Sequence, residues 1–143
     1  MATLEREGQS PVAILGMGLR LPGGVQDPAS LWSLLTSGKD AVTEVPSSRW
    51  SRERSPQIPP FGAFLTDPID LFDRAFFSIS PREARSMDPQ QRLSLELTWE
   101  ALEDAGIPAH QVQGKRVGVY IGCTGSDFAV QRRQHAEPLD EYS

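Results

Sequence analysis

The stretch Phe76-Phe77-Ser78-Ile79-Ser80-Pro81-Arg82-Glu83-Ala84-Arg85-Ser86-Met87-Asp88-Pro89-Gln90-Gln91-Arg92-Leu93 runs on to Leu97-Thr98-Trp99-Glu100-Ala101-Leu102-Glu103-Asp104-Ala105-Gly106, and its reading decides the fold. It holds two helix starts placed back to back. Ser80, Pro81 and Glu83 form a capping box: a hydroxyl accepts from an orphan amide, a carboxylate reaches back, and proline occupies the first helical position. Asp88, Pro89 and Gln91 repeat that arrangement, so a short helix ends and a longer one begins near Met87 and Asp88. The longer helix is expected from Pro89 to Ala105, ended by Gly106 and Pro108. Leu93, Leu97 and Ala101 form one row of it, and Leu95, Trp99 and Leu102 a neighbouring row. Glu96, Glu100 and Glu103 crowd another face. Such a helix is expected to be largely buried against a sheet.

Outward from this helix, Val12–Leu15 is a short apolar run closed by Gly16 and Gly18, as suits a strand buried on both faces. Asp27-Pro28 is an N-cap and first-turn pair; Leu31, Leu34 and Leu35 follow at helical spacing, and Gly38 stops the helix. Ala41–Val45 reads as a short strand halted by Pro46. The Pro-, Ser- and Arg-rich residues after it read as surface loop, with order regained on the Phe61–Phe77 aromatic cluster. Val117–Ile121 reads as a second strand, with Val117, Val119 and Ile121 on one face. Two strands separated by helices describe a right-handed βαβ crossover. A two-stranded parallel sheet cannot cover itself, so further elements must pair with it.

The 143 residues are enough for one domain. A net charge of −5 argues against a nucleic-acid surface, and no basic run is longer than a pair such as Arg132-Arg133. A single cysteine excludes an internal disulfide and suits a reducing cytoplasm. Met1–Ser10 is polar, carries Glu5, Arg6 and Glu7, and is unlike a signal peptide. No apolar run approaches the ~20 residues of a membrane span. The chain divides into a polar leader, 1–10, and one segment, 11–143.

The candidate chemical groups have structural readings that compete with functional ones. Cys123, after the second strand, stands where α/β enzymes place reactive groups, but a small buried packing residue is the favoured reading. His110, in the Pro108–Gln113 loop, and His135, in the polar tail, have no carboxylate or cysteine at metal-ligand spacing and are expected to face solvent. Gly16-Met17-Gly18-Leu19-Arg20-Leu21 lacks the third glycine of a dinucleotide fingerprint, and Pro22-Gly23-Gly24 intervenes before the helix. A tight exit from a buried strand is the better account. Glu100, Glu103 and Asp104 read as a solvated face or as partners for arginines.

The pattern F-F-x-I-S-P-R-E-A…M-D-P-Q-Q-R-x-x-L-E…W-E-A-L-E-D-A-G resembles the β-ketoacyl synthase (ketosynthase) domain of type I polyketide synthases, with animal-type fatty acid synthases a close second. Pro11–Gly24 is similar to that family's opening strand and glycine-rich turn. Asp27–Gly38, Asp40–Trp50, Gly62–Leu65, Leu71–Asp73 and Arg116–Gly122 match its following segments. Leu19 departs from it, where many members carry a non-catalytic cysteine, as does the short stretch 52–60. The family's nucleophilic cysteine lies in a T-A-C-S-S-S motif and its histidines in H-G-T-G-type and G-H-type motifs, all downstream of the matched region and absent here.

The resemblance implies an α/β chain: the N-terminal portion of a thiolase-like α-β-α-β-α fold, incomplete in these residues. The parent domain would be a cytoplasmic acyltransferase that condenses an acyl chain with a malonyl-type extender, as a homodimer acting on acyl carrier protein and its phosphopantetheine arm. Residues 11–143 would supply scaffold and part of a pocket wall near Cys123–Phe128. No catalytic, cofactor-binding or metal residue is assigned, and the chain alone is expected to be inactive. The alternative is a short non-catalytic ketosynthase-like chain acting as an interaction module; a nucleotide-binding α/β protein survives only through the incomplete glycine turn.

Overall fold

The structure, a computed structural model, describes residues 11–47, 49, 57, 59–125, 127, 128 and 130. Its elements in chain order are α1 (Pro28–Ser37), β1 (Val42–Glu44), β2 (Phe61–Ala63), α2 (Pro81–Ser86), α3 (Pro89–Asp104) and α4 (Ala109–Val112).

Local chemistry places the helix ends where the sequence puts them. The Asp27 carboxylate accepts from the Ser30 amide at 2.7 Å, and Gly38 closes α1 in the left-handed region at φ 65°. At α2 the Glu83 amide donates to the Ser80 hydroxyl at 3.2 Å, and the Ser80 amide donates to the Glu83 carboxylate at 2.8 Å. At α3 the Gln90 amide donates to Asp88 at 2.8 Å, and the Asp88 amide donates to the Gln91 side-chain oxygen at 3.0 Å. Each pair satisfies amides that the first helical turn leaves without partners. Gly106, at φ 65°, lets the Ile107 amide return to the Leu102 carbonyl at 2.9 Å and ends α3.

The sheet differs from the expected one. β1 and β2 pair antiparallel, with Val42 opposite Ala63, Thr43 opposite Gly62 and Glu44 opposite Phe61. This is the only sheet among the described residues. The segments 12–15 and 117–121 are extended but unpaired, so the parallel βαβ crossover does not form between them. Their side chains are open: Val12 is 95% exposed, Ile14 81%, Val119 75% and Tyr120 96%. The physical reason is that a strand needs a neighbour. A lone pair of short strands with uncovered faces is marginal, and these two segments do not supply each other's ladder.

Burial is correspondingly sparse. Val25, Ala84 and Ser86 are the buried residues among those described, and none lies in α3. Val25 closes the turn after Arg20, where Leu21 and Val25 exchange backbone hydrogen bonds at 3.0 and 3.3 Å across Gly23 and Gly24. In α1, Leu31 and Leu34 are half-buried, whereas Trp32 and Leu35 are exposed.

Candidate functional site

α3 organises the functional region because its two sides do different work. One side carries Leu97, Thr98, Ala101, Leu102 and Ala105 and lines an open groove with Ala13, Leu15 and Ile121. The extended segment 13–19 lies close on that side. A Cβ on Gly16 would stand 2.1 Å from the Ala101 carbonyl oxygen, and one on Gly18 would stand 2.5 Å from the Leu97 carbonyl oxygen. The Met17 amide between them donates to the Asp104 carboxylate at 2.9 Å. Gly16 and Gly18 are thus spacers for backbone packed on a helix. The chain neither turns at these residues to cradle a phosphate nor enters a helix directly after them. They also do not leave a buried strand, because the preceding residues are exposed.

The other side of α3 carries Arg92, Glu96, Trp99, Glu100 and Glu103. With Arg20, Val25 and the segment 65–77 it encloses a cavity of about 400 Å³. Its aromatic wall is continuous. Phe72 stacks on Phe77 at 5.3 Å between ring centres, Phe77 meets Phe76 edge-on at 4.9 Å, and Phe76 meets Trp99 edge-on at 4.6 Å. Trp99 therefore packs on Phe76; Leu97, on the opposite side of the helix, faces the segment 13–19, and Leu102 lies at the edge between the two sides. The order anticipated on the Phe61–Phe77 cluster is present.

The polar groups of this cavity are tied in pairs or held by burial. The Arg20 guanidinium grips the Glu100 carboxylate with both terminal nitrogens, Nη1 to Oε2 at 2.8 Å, and Nη1 also donates to the Leu19 carbonyl. Burial pushes the Glu96 carboxyl above its ordinary range, against the pull of Arg20. Arg92 Nε is buried with no hydrogen-bond partner among the described residues. Gln26 donates to Asp67 at 2.7 Å across the mouth. These arrangements fix the entry turn, the aromatic segment and α3 to one another.

Cys123 is exposed, not buried, and its thiol donates to the Gln90 side-chain oxygen at 3.0 Å. The expectation of a packing cysteine rested on the average behaviour of the residue type, whereas residues 121–125 are all exposed. His110 lies in α4, a single helical turn in place of the expected loop, and faces solvent. His135 lies outside the described residues. Glu100 is an arginine partner, Asp104 holds a backbone amide, and Glu103 is exposed. No group of three His, Cys, Asp or Glu residues among those described could hold a metal ion. The Arg20–Glu100 pair and the Gln90–Cys123 contact have only a weak sequence signal, the acidic crowding on α3, because their partners lie 80 and 33 residues apart.

An α/β scaffold built on one long helix, with apolar extended segments facing outward, is the arrangement these residues define. The chain belongs to the β-ketoacyl synthase family: the family model for the β-ketoacyl synthase N-terminal domain matches residues 9–143. Among curated relatives, it is 47% identical to a pikromycin polyketide synthase component of Streptomyces venezuelae, over 92% of this chain and 4% of the relative. It is 46% identical to 6-methylsalicylic acid synthase of Aspergillus terreus, over 90% of this chain and 8% of the relative. Among solved structures, the ketosynthase from module 6 of the bacillaene synthase of Bacillus subtilis 168 superposes with a TM-score of 0.76 at 36% identity, covering 82% of this chain and 21% of that one. The fold is therefore the N-terminal part of the thiolase-like ketosynthase fold, and the chain spans only a small part of the polyketide synthases it matches. The match reaches residue 143.

Proposed function

We propose that this chain is the N-terminal segment of the ketosynthase domain of a type I polyketide synthase. In the complete domain a cysteine thiolate takes an acyl chain from the carrier-protein thioester and releases the carrier thiol. Decarboxylation of a malonyl-type extender then yields a carbanion equivalent. That carbon attacks the acyl-enzyme, forms the new carbon–carbon bond and frees the thiolate, while histidines stabilise the developing charge. The phosphopantetheine arm belongs to the carrier protein. Residues 121–125 are exposed and by themselves form no cradle for it.

The contribution of this chain is scaffold. α3, pinned to segment 13–19 through Gly16, Gly18 and Asp104 and to Arg20 through Glu100, sets the position of that apolar segment. In our reading its open edge and that of 117–121 pair with the rest of the domain, which acts as a cytoplasmic homodimer with an acyl carrier protein as partner. No helix among the described residues is long and apolar enough to cross a membrane. The observation that carries the proposal is 36% identity at a TM-score of 0.76 to a polyketide ketosynthase, over 82% of this chain.

The unpaired apolar segments also favour a second reading, a non-catalytic ketosynthase-like chain that pairs with a separate partner. The coding sequence beyond Ser143 separates the two. Continuation into a Thr-Ala-Cys-Ser-Ser-Ser motif with downstream histidine motifs supports the proposal; an immediate stop codon supports the interaction module.

A further inference from the structure

We draw no further inference here: the strongest candidate, the aromatic-walled cavity of about 400 Å³ between α3 and the segment 65–77, opens onto an exposed apolar rim at Ile69 and Leu71, and nothing in the structure shows what covers it.

Discussion

Isolated as these 143 residues, the protein is predicted to lack a cooperatively folded monomeric state. The structure leaves Val12, Ile14, Leu15, Val117, Val119, Tyr120 and Ile121 each at least 59% exposed. At about 25 cal/mol per Å², leaving even 1,000 Å² of apolar surface in water forgoes about 25 kcal/mol, more than the net stability of a typical domain, about 5–15 kcal/mol. Capped helices alone cannot make up that difference, because a cap contributes only about 1 kcal/mol. The assay combines size-exclusion chromatography, a thermal scan and binding of a hydrophobic dye. Aggregated or molten protein, with a broad transition and strong dye binding, is expected. A monomer with one sharp transition and no dye binding would refute the reasoning, since the described contacts would then suffice.

Two further predictions concern the contacts themselves. In a ketosynthase chimera whose first segment is residues 9–143, Gly16→Ala lowers thermal stability by about 1–3 kcal/mol, because the new methyl group overlaps the Ala101 carbonyl; an unchanged melting temperature would mean that segment 13–19 does not lie on α3. Ser80 holds the Glu83 carboxyl below its ordinary 4.5. The unfolded chain therefore binds that proton more readily, so the α2 cap stabilises fully above this value and is lost as the pH falls through and below it. An acid titration of helicity in the same chimera shows this loss, and Glu83→Gln, which keeps a capping group that does not titrate, flattens it.

What the sequence revealed and what it hid divide along the range of the interactions. The caps of α1, α2 and α3 depend on residues three or fewer positions apart, and Asp27, Ser80 and Asp88 behave as their spacing implies. Strand pairing depends on distant chain. Val12–Leu15 and Val117–Ile121 have strand composition, yet composition carries no information about which neighbour completes a ladder. The short strand at Val42–Glu44 was legible, but its antiparallel partner Phe61–Ala63 was not. At the candidate site, the acidic crowding on α3 was visible while its division of labour was not. Glu100 and Asp104 anchor the 17–20 segment, whereas Glu103 stays in solvent. The glycines at 16 and 18 read as a tight exit from a buried strand, whereas the structure sets them against the backbone of α3.

The central claim is that residues 9–143 are an interchangeable first segment of a polyketide ketosynthase. It is tested most directly by the chimera that carries them in place of the matching segment of an active polyketide ketosynthase, assayed for condensation of an acyl chain with a malonyl extender on carrier protein. We predict a folded dimer that retains condensation and loses it when the host's nucleophilic cysteine is replaced by alanine. A chimera that folds and dimerises yet neither takes up the acyl group nor condenses would contradict the account.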